Sequence, residues 1–145
     1  MKKILSTNRL YISQSKILKA NRGVFANTKI KIGETIERCP IIEIPKHELE
    51  SMGESILINY FYFFGKKKER LLIALGFGSI YNHNYIPNAT YKIKPKQKLI
   101  EFISIKEIKK DQEITVNYIQ GNSKSRPLWF EEAKDYGREI SPQAT

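Results

Sequence analysis

Short apolar segments separated by polar turns make up most of the chain, and most are rich in β-branched and aromatic residues, which favour strands. The segments 101–105 and 113–116 alternate between polar and apolar positions, the period of a strand with one buried face. The pattern predicts strands at residues 10–13, 23–28, 35–38, 41–44, 90–93, 99–105 and 113–118. We therefore expect a mainly β fold with a minor helical content.

Between the two groups of strands, residues 46–74 have a different pattern. The charged segment 46–51 predicts a short helix that Gly53 interrupts. The apolar run 56–64 predicts either a buried strand or a short helix, and 65–70 predicts an exposed turn.

Two segments of the chain resemble each other, at 30–34 and 108–113. Each has an isoleucine, then polar residues of a tight turn, then an acidic residue that opens a strand. They predict two hairpin-like turns and no functional repeat.

The last segment, residues 122–145, differs again in composition. Residues 125–137 predict a short helix, with a capping serine at its start and a glycine at its end. Trp129, Ala133 and Tyr136 fall on one face of that helix. This face either packs on the core or covers the functional site, and the pattern leaves both open.

Composition limits the kind of protein this chain can be. With 145 residues, 41% of them hydrophobic, it is long enough for one domain with a core and too short for two. The single Cys39 excludes an intramolecular disulfide and a cysteine-ligated zinc cluster, and His47 and His83 lack ligand-like neighbours. No apolar run approaches the roughly 20 residues of a membrane span, and no signal peptide is apparent. We expect an intracellular, cytoplasmic protein without a metal site or a membrane segment.

The formal net charge of +10 has two interpretations. It can form a patch for nucleic acid or another acidic partner, or it can keep a lysine-rich protein in solution. Lys92, Lys94, Lys96 and Lys98 alternate with other residues, which predicts a strand with one solvated face and favours the second interpretation. No aromatic-basic motif for nucleic acid accompanies them. Nucleic acid is therefore not the expected partner, although the charge alone keeps that alternative open.

Four motifs in a fixed order carry the most specific signal. The segments YNHNYIPN at 81–88 and EITVNY at 113–118 resemble the paired signature N-H-x-x-x-P-N and E-(L/I)-T-x-(D/N)-Y of SET-domain protein-lysine methyltransferases. Upstream, NRGVFA at 21–26 is similar to the family's glycine-rich loop, and IKIGETI at 30–36 is similar to its I-x-x-G-E-x-I turn. Four motifs in the correct order are hard to obtain by chance.

The resemblance implies a SET-domain (β-clip) fold, with a knot-like crossing of the two C-terminal motifs and a short C-terminal helix. Residues 1–20 then form an N-terminal strand segment, 21–118 the SET domain with a variable insert at about 46–74, and 119–145 a tail after the domain. The implied activity is the transfer of methyl groups from S-adenosylmethionine to a lysine of a protein substrate. Many family members complete the site with a cysteine-bound zinc, which this chain must replace in another way.

The resemblance also assigns roles to individual residues. Tyr118 matches the catalytic tyrosine of the family. The residues expected to bind the methyl donor are Arg22, Gly23, Val24, Phe25, Tyr81, Asn82, His83 and Trp129. The residues expected to line the channel for the substrate lysine are Tyr60, Tyr62, Tyr85 and Val116, and the pattern does not choose between Tyr60 and Tyr62. Ordinary packing, a turn glycine or a structural histidine explains each of these residue types equally well without the motifs.

Two departures from the family pattern lead to specific expectations. Asn21 replaces the first glycine of the loop, and asparagine tolerates a left-handed backbone, so we expect the turn to persist. Val116 stands where many members have phenylalanine or tyrosine, a position that in the family limits the number of methyl groups. The smaller valine predicts di- or trimethylation.

A non-catalytic interaction module of the same fold is the alternative, binding an acidic partner through its basic surface. An inactive descendant is expected to have lost Tyr118 or Asn82, and both are present. We therefore expect an enzyme.

Overall fold

The computed structural model describes residues 3–67 and 69–118. Strands account for 42% of these described residues, and the prediction of a mainly β fold is confirmed. The strands are β1 (Leu10–Gln14), β2 (Arg22–Ala26), β3 (Thr35–Glu43), β4 (Phe61–Phe64), β5 (Arg70–Ala74), β6 (Asn82–His83), β7 (Ala89–Lys94), β8 (Leu99–Ser104) and β9 (Glu113–Val116). The same residues contain one α-helix, α1 (Leu49–Gly53), and 3₁₀ turns at Lys46–Glu48, Ile56–Tyr60 and Pro95–Gln97.

The strands form two sheets, with the orders β1-β2-β9-β6 and β4-β5-β3-β8-β7. Residues of both sheets share one hydrophobic core, in which Val24, Leu72, Phe102 and Ile114 are fully buried. Paired strands are antiparallel except β6 and β9, which run parallel. A parallel pair needs a long connection, and here the connection contains β7 and β8 of the other sheet. The parallel pairing brings the motif at 81–88 beside the motif at 113–118.

The strand β3 is longer than predicted, because the segments 35–38 and 41–44 join across Pro40. Up to Pro40 the strand pairs with β8, and from Ile41 to Glu43 it pairs with β5. Proline has no N–H to donate, so it is tolerated where a ladder of hydrogen bonds is interrupted. Pro40 lies where the strand changes partner, and its carbonyl still accepts from the Leu75 N–H at 2.8 Å.

The two similar turns lie side by side. Ile30 and Ile108, both fully buried, form an antiparallel bridge with N···O distances of 2.8 and 2.9 Å. Each turn contains one residue with a left-handed backbone, Gly33 at φ 82° and Asp111 at φ 67°. Glycine enters this region freely and aspartate more readily than most residues. The bridge fixes the starts of β3 and β9 relative to each other.

Other predicted segments match the structure less well. The segment 46–51 is a 3₁₀ turn followed by α1, and the run 56–64 contains both a 3₁₀ turn and β4. The lysine alternation does lie partly on an edge strand, β7, but its extension to Lys98 was wrong. The strand ends because Pro95 begins a 3₁₀ turn and Lys98 has a left-handed backbone at φ 53°.

Some predictions fall outside the described residues. These are the helix at 125–137 and the residue Trp129. Within residues 3–67 and 69–118, no helix is long and apolar enough to cross a lipid bilayer.

Candidate active site

Asn82 lies at the start of β6, where three segments of the chain meet. It is 2% exposed, and its Nδ2 donates to the Arg22 carbonyl and to Glu113 Oε1, each at 2.8 Å. Asn88, the last residue of the motif at 81–88, holds β9 in place. Its Nδ2 donates to the Glu113 carbonyl at 2.8 Å, and its Oδ1 accepts from the Thr115 N–H at 2.9 Å. The two asparagines thus hold β2 and β9 against the motif at 81–88.

Gly23, in β2, allows this close approach. A Cβ at this position would lie 2.2 Å from Glu113 Oε1 and 3.0 Å from Asn82 Nδ2, so any larger residue forces a neighbour to move. The loop before Gly23 has the expected conformation, since Asn21 has φ 60°. An asparagine here adopts the left-handed backbone for which the family's motif uses glycine.

Two buried polar atoms beside Gly23 have no hydrogen-bond partner among residues 3–67 and 69–118. They are Asn82 Oδ1, an acceptor, and Arg22 Nε, a donor. An unsatisfied buried polar group costs about 1–3 kcal/mol. An ammonium can donate to Asn82 Oδ1, and a carboxylate can accept from Arg22 Nε. The amino-acid end of S-adenosylmethionine carries these two groups, so the residues present fit this donor.

Tyr118 is held at both its backbone and its hydroxyl. Its N–H donates to His83 Nδ1 at 3.1 Å, and its hydroxyl donates to the Tyr81 carbonyl at 2.6 Å. Because Nδ1 accepts, His83 in its neutral form carries its proton on Nε2. A phenol oxygen that donates its proton to a carbonyl still has lone pairs to accept from a group on its other side. Tyr118 is therefore fixed as an acceptor.

An aromatic cluster lies next to Tyr118. The rings of Tyr62, Tyr81, Tyr91 and Phe102 have centroid separations of 4.4 to 6.2 Å, and the Tyr91 hydroxyl donates to the Tyr118 carbonyl at 3.4 Å. Burial raises the pKa of Tyr62 and of Tyr81 well above the usual tyrosine value, and it raises the pKa of Tyr91 to about 12. A region that disfavours tyrosinate in this way also disfavours other charged groups.

The other residues expected in the lysine channel occupy different surroundings. Tyr60 ends a 3₁₀ turn, and its carbonyl accepts from Ser79 Oγ at 3.1 Å. Tyr62 is buried in β4, whereas Tyr85 is 39% exposed and packs edge-on against the His83 ring at 4.4 Å. Val116 is fully buried in β9, paired with His83.

Among the residues expected to bind the donor, Val24 and Phe25 are buried in β2, and Phe25 stacks on Tyr11 at 5.5 Å. Trp129 lies outside the described residues. The structure thus brings Arg22, Gly23, Asn82, His83 and Tyr118 into one contiguous group through β2, β6 and β9.

Two residues that support this group, Glu37 and Tyr91, were not predicted from the sequence. Glu37 accepts from the Tyr81 hydroxyl at 2.8 Å and from the Phe77 N–H at 3.1 Å. The backbone carbonyl of the same Tyr81 accepts from the Tyr118 hydroxyl. An acidic residue between Ile36 and Arg38 in a strand gave little signal, because it fits a solvated face equally well. Among residues 3–67 and 69–118, no three histidine, cysteine, aspartate or glutamate side chains gather into a metal site.

Comparison with known proteins decides the family. The family model of the SET domain matches residues 21–119. The chain belongs to the SET-domain family. It is 34% identical, over 83% of its length and 78% of the other protein, to the histone-lysine N-methyltransferase specific for lysine 37 of histone H3 from Schizosaccharomyces pombe.

Solved structures of SET-domain proteins have the same fold. A Plasmodium falciparum protein described as a candidate histone methyltransferase superposes with a TM-score of 0.59 at 29% identity, covering 81% of this chain and 98% of that one. The Chaetomium thermophilum Polycomb Repressive Complex 2, in an autoinhibited conformation bound to S-adenosylmethionine, gives a TM-score of 0.64 at 19% identity, over 91% of this chain and 17% of that one. This SET-domain protein is a protein-lysine N-methyltransferase that uses S-adenosylmethionine.

Proposed function

We propose that this SET-domain methyltransferase modifies a lysine of histone H3 and that the group around Asn82 and Tyr118 is its active site. The fission yeast relative, 34% identical to this chain, is named for lysine 37 of that histone. The single observation that carries the site assignment is the pair of unsatisfied buried atoms, Asn82 Oδ1 and Arg22 Nε. The Tyr118 hydroxyl is bound to the carbonyl of Tyr81, the residue before Asn82.

The donor is held at its amino-acid end. Asn82 Oδ1 would accept from the ammonium and Arg22 Nε would donate to the carboxylate, while Gly23 leaves space for the backbone to approach. S-adenosylmethionine, when bound, supplies a methyl group on a positively charged sulfur. No protein nucleophile and no metal are needed for this displacement, so the protein contributes binding, alignment and exclusion of water.

Tyr118 orients the substrate lysine. Its hydroxyl donates its proton to the Tyr81 carbonyl at 2.6 Å, so its oxygen accepts a hydrogen bond from the lysine amine. With an N–H of the amine turned to Tyr118, the lone pair of the amine can point towards the methyl group of the donor. Glu37 keeps this geometry in place, because it binds the hydroxyl of the same Tyr81. Fixed alignment of the reacting atoms lowers the barrier by avoiding its entropic cost.

The lysine must also lose its proton before it can react. At pH 7 this costs roughly 4–5 kcal/mol for an ordinary lysine with a pKa near 10.4. The aromatic cluster of Tyr62, Tyr81, Tyr91 and Phe102 lowers that cost, since its dry surroundings disfavour the ammonium form.

The product extends beyond monomethyl-lysine. Val116 has no hydroxyl to hold a water in the channel and is smaller than the aromatic residues common at this position in the family. A methylated amine then has space to turn its lone pair towards a second donor. Tyr62 and Tyr85 are the side chains that can fill the same space instead.

The test of the proposal is methyl transfer to recombinant histone H3, followed by mass spectrometry of each lysine. We expect H3 to be modified by the unmodified enzyme and Tyr118→Phe to reduce turnover on the order of 100-fold, with little change in donor affinity. Tyr11→Phe is the matched control, because it also removes one hydroxyl, which donates to Asp111 at 2.8 Å. Methylation of another protein in a panel but not of H3 refutes the substrate. Equal losses of turnover and donor affinity in Tyr118→Phe refute its catalytic role.

A further inference from the structure

Glu113 joins three segments of the chain through its side chain. Its Oε1 accepts from Asn82 Nδ2 at 2.8 Å, and its two oxygens share the Ser15 hydroxyl at 3.0 and 2.9 Å. Ser15 begins the connection between β1 and β2, and its Oγ also accepts from the Ile17 N–H at 3.0 Å. Neither Ser15 nor Glu113 is among the residues to which the family motifs assign a role in the donor pocket.

These contacts fix which way the Asn82 amide faces. The two hydrogens of Nδ2 go to the Arg22 carbonyl and the Glu113 carboxylate, and neither of these groups can donate a hydrogen bond. An inverted amide would place Oδ1 against two acceptors and lose both bonds. The observed orientation therefore turns Oδ1 away from them, as the buried acceptor without a partner among the described residues.

Glu113 itself has little freedom to move. Its backbone carbonyl accepts from Asn88 Nδ2 at 2.8 Å, and its carboxylate fills the space that a Cβ on Gly23 would need. The Ser15 hydroxyl adds a further restraint, since it donates to the Glu113 carboxylate.

We propose that Ser15 and Glu113 are positioning residues for the methyl donor, which act by holding the Asn82 amide with Oδ1 presented to the donor's ammonium. The inference rests on the donor site proposed above and extends it to residues that touch no donor atom. Its consequence is that both residues govern donor affinity through Asn82, while the methyl-transfer step at saturating donor is nearly unchanged.

The experiment is a double-mutant cycle measured by calorimetric titration of S-adenosylmethionine. Because a hydrogen bond to a charged group is lost, the dissociation constant for the donor should rise roughly tenfold or more in Glu113→Ala. It should rise about threefold to tenfold in Ser15→Ala. Glu113→Gln should recover most of the affinity, because its amide oxygen can still accept from Asn82. In the Asn82→Ala background, adding Glu113→Ala should change the affinity less than about threefold.

Glu101→Gln is the matched control. Glu101 is a buried carboxylate with two partners, Arg38 and Lys94, and it lies on β8 of the other sheet. Its donor affinity should stay within about twofold of the unmodified protein. Circular dichroism and thermal unfolding without donor show that each variant is folded, and kcat at saturating donor should change less than about twofold for Ser15→Ala.

The outcomes separate this inference from the proposed function. If the unmodified protein binds no S-adenosylmethionine, the donor site itself is wrong. If the unmodified protein binds the donor and folded Glu113→Ala binds it equally well, the positioning role is overturned while the donor site stands. The same holds if Glu113→Ala weakens donor affinity by the same factor with and without the Asn82 side chain. If Glu113→Ala does not fold, Ser15→Ala decides, and an unchanged affinity there overturns the inference.

Discussion

Replacing Gly23 by alanine tests whether close packing around Asn82 holds the site together. The added Cβ would lie 2.2 Å from Oε1 and 2.8 Å from Cδ of Glu113, so the carboxylate must move and give up its bonds to Asn82 and Ser15. Hydrogen bonds to a charged group contribute about 1.5–3 kcal/mol each, and the displaced carboxylate regains part of this from water. We expect the free energy of unfolding to fall by about 2–4 kcal/mol.

Urea and thermal denaturation measure the loss of stability, and calorimetric titration with S-adenosylmethionine measures the donor affinity. At about 3 °C for each kcal/mol, the unfolding temperature should fall by about 6–12 °C. Donor affinity should fall about tenfold or more, because the Asn82 amide loses one of its two restraints.

Gly53→Ala is the matched control for this substitution. A Cβ on Gly53, at the end of α1, meets nothing within 4 Å, so its unfolding free energy should change by less than about 1 kcal/mol and its donor affinity should not change. If the Gly23 and Gly53 variants behave alike in both assays, Glu113 is not confined by Gly23 and the reasoning is refuted.

Two further predictions concern the product and the pH dependence of stability. With excess donor, mass spectrometry should find di- or trimethyl-lysine, and Val116→Tyr should shift products towards monomethyl-lysine; a monomethyl end point for the unmodified enzyme contradicts the argument from Val116. Burial raises the pKa of Glu101, but hydrogen bonds from Lys94 and Arg38 outweigh it and lower the pKa below its usual 4.5. The stabilisation from the ionised Glu101 is therefore present above about pH 4.5 and is lost as the pH falls. In urea denaturation, the difference in unfolding free energy between the unmodified protein and Glu101→Gln should shrink from about pH 7 to about pH 3. A constant difference contradicts this prediction.

Local patterns were sufficient for strands whose own residues favour extended structure. The segments around β1, β2, β8 and β9 alternate or are β-branched, and each was predicted within a few residues of its observed bounds. In contrast, β5 and β6 were not predicted as strands. The two residues of β6 are extended only because they pair with β9, whose partner residues Thr115 and Val116 lie far along the chain. No local pattern contains that information.

The same limit applies to the site. The motifs at 21–26, 81–88 and 113–118 pointed to Asn82, Gly23 and Tyr118, which the fold brings together. The contact between Ser15 and Glu113 joins residues 98 positions apart, and a serine in a polar loop gives no sign of its partner. Likewise, the strand β3 crosses Pro40 because it changes partner there, which depends on β5 and β8 rather than on its own sequence.

The most direct test of the donor site compares two adenosine thioethers that differ in the amino-acid end. S-adenosylhomocysteine has the ammonium and carboxylate that Asn82 Oδ1 and Arg22 Nε would bind, and 5′-methylthioadenosine lacks both. With a chelator present, calorimetry should show S-adenosylhomocysteine binding on the order of 100-fold more tightly, since two charge-assisted hydrogen bonds separate the ligands. Asn82→Ala should narrow that gap. Equal affinities for the two ligands, or a gap that Asn82→Ala leaves unchanged, would contradict the assignment of these atoms to the donor site.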